Sequence, residues 1–145
     1  MMIAVDTNVL LRYLLDDDKV QSRKAEVLIR GTSPVLITDV VLSETIWTLK
    51  GKKYKLDKEG VIRVVNALFE EPNIRFEDGQ TVWKALGDFK RADPVKVRGK
   101  KKQADFSDAL IVNKAKFQTQ LTQEFFRGVY TFDVAAQQIP GARKP

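Results

Sequence analysis

The sequence contains no cysteine and no histidine, and each absence removes a class of chemistry. Without cysteine there is no disulfide, thiol nucleophile or thiolate zinc site, which fits a reducing compartment. Without histidine there is no Ser-His-Asp triad, no paired-histidine cleavage of RNA and no ordinary histidine zinc site. Acid, base or metal chemistry therefore falls to carboxylates, lysines or tyrosines.

Long apolar runs are also missing. No stretch approaches the roughly 18 unbroken apolar residues of a membrane span, and residues 1–6 lack the basic and apolar regions of a signal peptide. We therefore expect a cytoplasmic protein with no membrane partner. A length of 145 residues with 43% hydrophobic residues predicts a single domain over residues 1–145.

Positive charge is in excess, because 25 lysines and arginines against 19 acids give a formal charge of +6. Such a balance favours association with a polyanion. Short apolar strands alternate with segments of helical periodicity, which predicts an α/β fold, a three-layer α/β/α sandwich with a central, mostly parallel sheet. The predicted strands are 3–5, 35–37, 74–76, 129–132 and a last one near 139–141; residues 91–103 are expected to form an exposed loop, and 116–128 to extend a helix or pack in a dimer interface.

Acidic residues occur near the predicted strand ends. Asp6 and Asp133 end two strands, Glu44 lies in the helix after the second strand, and Asp105 and Asp108 open the helix that leads to strand four. Ligands of open parallel sheets bind beyond the carboxyl ends of the strands. If these acids converge, two carboxylates about 4 Å apart repel by roughly 4 kcal/mol, so the cluster needs a proton or a cation. Mg²⁺ or Mn²⁺ suits carboxylate oxygens best.

Each acid also has a structural interpretation. Asp6 can cap the helix that follows it, Asp105 can be an N-cap with Asp108 three residues later, and Asp133 can end its strand in a turn. Glu44 is the hardest to explain structurally, because its apolar neighbours predict a position on the core side of its helix. A buried glutamate requires a partner.

Four short motifs follow one another along the chain: MIAVDTNVLLRY at 2–13, LSETIW at 42–47, ADFSDALI at 104–111 and TFD at 131–133. Together they resemble the motifs of the PIN-domain toxins of the VapC family. The resemblance implies a Mg²⁺-dependent (or Mn²⁺-dependent) endoribonuclease, the toxin of a VapBC-type toxin–antitoxin system. It also implies a homodimer and a cognate VapB-like antitoxin whose C-terminal segment occupies the crevice.

Carried over to this chain, the resemblance gives Asp6, Glu44, Asp108 and Asp133 as metal-binding and catalytic acids, with Asp105 as a fifth ligand or a helix cap. The bound ion would activate water to cut single-stranded or looped RNA, leaving 5′-phosphate and 3′-hydroxyl ends. Other polar groups would orient ligands or water, although local turn bonding explains them equally well. They are Thr7, Asn8, Ser107 and Thr131.

Basic residues near the motifs are candidates for contact with RNA phosphates. For each lysine the alternative is a solvated surface position, and for Arg12 it is an ion pair with Asp16. Trp47 and Trp83 are expected in the core or in dimer contacts rather than under RNA bases. The candidate RNA-binding residues are Arg12, Lys50, Lys52, Lys100, Lys101 and Lys102.

Other functions fit the motifs less well. A haloacid-dehalogenase-like phosphatase would open with an Asp-x-Asp pair, and residues 6–8 read Asp-Thr-Asn. A receiver domain would resemble an Asp-Asp pair after the first strand, which is also missing. A catalytically silent PIN-like RNA-binding module would have lost acidic positions, and all four remain. A DNA-cleaving variant stays open, because water activation by a metal does not depend on a 2′-hydroxyl.

Overall fold

The structure is a computed structural model that describes residues 1–145, and the chain divides into two compact units, Met1–Gly79 and Gln80–Pro145. The first unit contains a three-stranded parallel sheet of strands β1 (Ile3–Ala4), β2 (Val35–Ile37) and β3 (Ile74–Phe76) in that order. Because all three strands run in the same direction, their carboxyl ends share one edge of the sheet.

Four helices complete the first unit: α1 (Thr7–Leu15), α2 (Lys19–Ile29), α3 (Asp39–Lys50) and α4 (Lys58–Glu70). Each begins after a short polar residue whose side chain accepts a hydrogen bond from a backbone N–H of the first turn, which satisfies donors that the helix itself cannot. The inward faces are aliphatic and hold the helices on the sheet. The most buried of these residues include Leu10, Ile29, Val35, Ile37, Leu42, Ile46, Val61 and Val65.

The second unit contains α5 (Gly79–Arg91), strands β4 (Val95–Val97) and β5 (Lys100–Lys102), α6 (Phe106–Leu121), strand β6 (Val129–Tyr130), a short 3₁₀ helix (Ala136–Gln138) and strand β7 (Ala142–Arg143). β6 and β7 pair in parallel. Phe89 of α5 and Phe106 of α6 are fully buried and meet edge to face, with ring centroids 6.1 Å apart. This aromatic pair is part of the core of the unit.

Three details of the sequence-based prediction are wrong in the second unit. Residues 91–103 are not a loop throughout, because β4 and β5 form an antiparallel hairpin. Arg98 and Gly99 both have positive φ, 53° and 78°, as a two-residue primed turn requires. The strand predicted at 129–132 ends at Tyr130, and the last strand is Ala142–Arg143 rather than 139–141. Within 116–128, α6 continues to Leu121.

None of the helices combines the length and the hydrophobicity that crossing a bilayer requires.

Candidate active site

Asp6 follows β1 at the carboxyl edge of the parallel sheet and is exposed. Its Oδ1 accepts a hydrogen bond from the backbone N–H of Val9, 3.0 Å away, so Asp6 is the N-cap of α1. The structural interpretation of this residue is therefore correct, yet the cap engages one carboxylate oxygen and leaves the charge of the group at the sheet edge. Thr7 and Asn8 form the first turn of α1 beside it.

Glu44 is exposed, so the prediction that it lies on the core side of α3 is wrong. The residues that α3 buries are Leu42, Thr45, Ile46 and Leu49. Glu44 lies between these residues in the sequence but is on the solvent-exposed side of α3. The pattern of apolar residues alone did not show on which side of the helix it lies. An exposed carboxylate in the second motif needs no buried partner and is accessible to a cation.

Sequence reasoning missed Asp39, which is half-buried in the first turn of α3. It lies two residues beyond β2, and the parallel pairing of β1 with β2 places their carboxyl ends at one edge. The signal was available, because Asp39 has the same relation to the second strand that Asp6 has to the first. Asp39 is therefore a further candidate at this edge.

Asp105 and Asp108 begin α6 as a capping box. Asp108 Oδ2 accepts a hydrogen bond from the backbone N–H of Asp105 at 2.8 Å. Asp105 is exposed, whereas Asp108 and the intervening Ser107 are half-buried. The box orients the Asp108 carboxylate through the backbone of the preceding turn.

Asp133 lies in the turn before the 3₁₀ helix and not at the end of a strand. Its Oδ1 accepts hydrogen bonds from the N–H groups of Ala135 (2.9 Å) and Ala136 (3.1 Å). Its own N–H donates to Thr131 Oγ1 at 3.1 Å, so the turn-bonding alternative for Thr131 is observed. The exposed Asp133 carboxylate is thus fixed by backbone donors on one side.

The third and fourth motifs meet at one pocket of about 210 Å³ within the second unit. Asp108 and Thr131 both line it, together with apolar side chains of α6 and β6 such as Ile111 and Val129. The structure therefore brings together two of the residues that the motifs predict. Asp133 lies two residues beyond Thr131 and does not line this pocket.

Carboxylate oxygens are suitable donors for Mg²⁺, which typically binds through one or two carboxylates, several waters and substrate phosphates. Within neither unit do three acidic side chains lie close enough together to hold a metal ion. Each unit nevertheless presents exposed carboxylates in the motif positions, Asp6 and Glu44 in the first and Asp105 and Asp133 in the second. The donor set therefore fits a hard divalent cation in chemistry and in exposure.

Arg12 pairs with Asp17, and the predicted pairing with Asp16 is wrong. The Nη1 atom of Arg12 lies 2.6 and 2.7 Å from the two carboxylate oxygens of Asp17. The hydrogen bond that Arg12 donates to Asp17 raises the pKa of Arg12 and lowers the pKa of Asp17. An RNA phosphate at Arg12 would have to compete with this carboxylate.

The predicted RNA-binding lysines occupy two places in the structure. Lys50 is the half-buried last residue of α3, and Lys52 is exposed in the turn that follows. Lys100–Lys102 make up β5, and all three side chains are exposed. Lys96 is the direct cross-strand partner of Lys101, so the hairpin carries like charges opposite each other.

Comparison with protein families gives one match, to the PIN domain over residues 3–120. This range covers most of the chain; it includes the second and third motifs and all of the first except Met2. The chain belongs to the PIN-domain family. A search of curated proteins finds no match for it.

The family match confirms the predicted fold class, because six helices and mostly parallel strand pairing are consistent with the three-layer α/β/α fold of PIN domains. PIN domains are generally nucleases and usually use divalent metals, so this chain has a nuclease-like fold. The match ends at residue 120, before the TFD motif at 131–133. The fourth acid, Asp133, therefore rests on the motif alone.

Proposed function

We propose that this PIN domain is a Mg²⁺-dependent or Mn²⁺-dependent endoribonuclease and the toxin of a VapBC-type toxin–antitoxin system. The observation that carries the proposal is that motif carboxylates of a nuclease-like fold are exposed to solvent and only partly used in local hydrogen bonds. Asp6, Glu44 and Asp133 are exposed, and the caps at Asp6 and Asp133 engage only the Oδ1 oxygen. Acids that served only as caps would not explain Glu44, which caps no helix.

In this proposal Asp6, Glu44, Asp108 and Asp133 bind the ion, and Asp105 serves as the helix cap of α6. The ion, when bound, supplies an activated water and positive charge for phosphate oxygens. The chain itself holds the carboxylates in place: Val9 N–H fixes Asp6, and the Asp105 N–H fixes Asp108. Carboxylates fixed before the ion binds lose less conformational entropy on binding it.

The basic surface supports RNA as the substrate. Lys52 and the three lysines of β5 are exposed, and each phosphate they neutralise releases counterions. Arg12 is a weaker candidate in this respect, because Asp17 already neutralises it. In the first unit Lys50 and Lys52 are likewise proposed to contact the RNA backbone. Thr7, Asn8 and Ser107 remain proposed orienting groups beside the acids.

A single domain over residues 1–145, a cytoplasmic location, a homodimer and a cognate VapB-like antitoxin belong to the same proposal. The homodimer has some support in α3, where Val40 is 74% exposed and Trp47 is 73% exposed. Val40 and Trp47 are two helical turns apart and so share one side of α3, and exposed apolar side chains that adjoin each other mark surfaces that a partner covers. A second copy of the chain would remove both from water.

The test is cleavage of a labelled single-stranded RNA by the purified protein with Mg²⁺ or Mn²⁺, with excess chelator, and with Asp6→Asn. Asparagine caps a helix as well as aspartate, so the variant keeps its fold and loses the charge. We expect cleavage to fall at least about 100-fold, since even the groups that orient metal ligands contribute 10–100-fold.

Asp16→Asn is the matched control, because it removes the same charge at the other end of α1. Asp16 has a positive φ of 51°, which asparagine tolerates. Full activity in Asp16→Asn with none in Asp6→Asn supports the proposal. Cleavage by Asp6→Asn at the parental rate, or in excess chelator, would exclude it.

A catalytically silent RNA-binding module is the second candidate, favoured by the lack of three clustered acids within either unit. It predicts that RNA binds with the same affinity with and without Mg²⁺ and is never cut. The same assay, read by binding as well as by cleavage, separates the two.

A further inference from the structure

A polar pocket of about 440 Å³ lies between α5 and α6 in the second unit, and none of the motif acids lines it. Its size is in the range of small-molecule sites in proteins. The lining residues are Trp83, Lys84, Gly87, Asp88, Arg91, Asn113 and Lys116.

Trp83 lines this pocket and is 55% exposed, so of its two expected places the core is wrong and the dimer contact stays a prediction. Tryptophan is highly buried on average, and an exposed ring beside a pocket offers a flat apolar surface. Nucleobases stack on such rings, and the stacking tolerates every base because each has a π-face.

Three cations line the same pocket as Trp83: Lys84 and Arg91 from α5 and Lys116 from α6. Lys116 Nζ donates to the carbonyl oxygen of Pro140 at 3.0 Å, which fixes the position of its ammonium group. Asp88 is the single acid in the lining, so the pocket carries a net formal charge of +2. An aromatic surface within a cationic rim suits a base with its adjacent phosphate.

The floor of the pocket is built by a hydrogen-bonded network. Asn113 is 6% exposed, and its Nδ2 donates to Asp88 Oδ2 at 2.9 Å and to the carbonyl oxygen of Ala109 at 2.8 Å. Arg91 donates to Asp88 Oδ1 at 3.1 Å. Both oxygens of Asp88 are thus engaged, which reduces the repulsion that a phosphate would meet.

Gly87 keeps the space beside Arg91 open. A Cβ at this position would lie 3.2 Å from Arg91 Nη1, closer than ordinary packing allows. Because glycine occupies the position, the guanidinium lies against the helix and faces the pocket without displacing the Asp88 hydrogen bond.

We propose that this pocket binds one nucleotide of single-stranded RNA, with the base stacked on Trp83 and the phosphate bound by Lys84, Arg91 and Lys116. The proposal rests on the proposed function in that RNA is the ligand. The pocket adds a site that contributes to RNA affinity without touching the reacting phosphate. It would bind a nucleotide of the substrate other than those at the cleaved bond.

The chain has two tryptophans, so Trp47→Phe leaves Trp83 as the sole indole fluorophore. A labelled single-stranded RNA is titrated into this variant, combined with Asp6→Asn, in excess chelator, while tryptophan fluorescence and label anisotropy are recorded together. We expect Trp83 fluorescence to be quenched in parallel with the rise in anisotropy. Base stacking contributes enough affinity that Trp83→Ala should weaken RNA binding by about 5- to 150-fold.

The matched control is Trp47→Ala, which removes the other exposed indole and should change RNA affinity by less than about twofold. Lys84→Gln with Arg91→Gln should weaken binding and flatten its salt dependence, by about 0.7 log units for each lost phosphate contact. Trp83→Phe should retain part of the affinity, because a smaller ring still stacks.

Three results would overturn the proposal. RNA that binds to saturation without quenching Trp83 would place the nucleotide elsewhere, and quenching that depends on protein concentration in the absence of RNA would show that a second copy covers the ring. A nucleoside 5′-monophosphate that quenches at lower concentration than the RNA would assign the pocket to free nucleotide. The binding assay needs neither metal nor cleavage. Quenching of Trp83 here, together with no RNA cleavage by the parent protein with Mg²⁺ or Mn²⁺, would therefore refute the nuclease and leave this site intact.

Discussion

The two units fix their acidic residues to different degrees. In the second unit Asp108 and Asp133 both accept hydrogen bonds from backbone N–H groups, and Asp105 forms the other half of the box. In the first unit Asp6 accepts one such bond, and Glu44 lies exposed on the middle of its helix. Backbone donors therefore fix the motif acids of the second unit more fully than those of the first.

This difference shows that a capping role and a metal-binding role are compatible in one carboxylate. The caps at Asp6 and Asp133 use the Oδ1 oxygen, and a carboxylate has a second oxygen that can bind a cation. The two roles separate by substitution, because asparagine keeps the cap and loses the charge whereas alanine loses both.

Asp133 gives the largest expected effect. Asp133→Asn should reduce cleavage at least about 100-fold, by the reasoning given for Asp6, and leave the melting temperature unchanged, because the amide oxygen still accepts from Ala135 and Ala136. Asp133→Ala should lose the same activity and also about 1 kcal/mol of stability, which lowers the melting temperature by roughly 3 °C. RNA cleavage and thermal unfolding are measured on the same preparations; wild-type cleavage by Asp133→Asn would show that Asp133 is only a turn residue.

Asp105 tests the opposite case, an acid of the third motif to which we assign the capping role alone and no metal binding. Asp105→Asn should change cleavage by less than about threefold, while Asp105→Ala should cost about 1 kcal/mol in stability. The matched substitution is Asp108→Asn, three residues along the same helix, which should nearly abolish cleavage. Equal losses in Asp105→Asn and Asp108→Asn would make Asp105 a metal ligand.

Features that depend on residues close together in the sequence were predicted better than features that depend on tertiary packing. The strands and helices of the first unit and the caps at Asp6 and Asp105 were predictable, because each depends on residues a few positions apart. The exposure of Glu44 was not, because the side of α3 that faces the core depends on the packing of α1 and the sheet. The hairpin at 95–102 was missed because only Val95 and Val97 follow a period-2 apolar pattern. Its second strand consists of three lysines and shows no such pattern.

The β4–β5 hairpin of the second unit carries lysines on both strands, so the comparison can also be made for positive charges. Lys96 and Lys101 are direct partners, and like charges opposite each other destabilise a strand pair. Replacing both with glutamine should raise the melting temperature slightly and weaken RNA binding, with a salt slope shallower by about 1.4 log units if each contacts one phosphate. The control is the same replacement at Lys19 and Lys24 of α2, which are also exposed; equal effects of the two pairs would mean that net charge alone matters.

The smallest expected effect concerns the Arg12–Asp17 pair of the first unit. The hydrogen bond from Arg12 lowers the pKa of Asp17, so the folded state favours the ionised carboxylate. The resulting stability is fully present above the ordinary aspartate pKa of about 3.9 and is lost as the pH falls through the lower pKa of the folded protein. The melting temperature of Asp17→Asn should therefore lie below that of the parent at pH 6, and the gap should close as the pH drops below about 4. Asp16→Asn, which alters the neighbouring acid outside the pair, should show no such convergence. A gap between Asp17→Asn and the parent that persists unchanged in acid would mean that Asp17 stabilises α1 by a contact other than its charge.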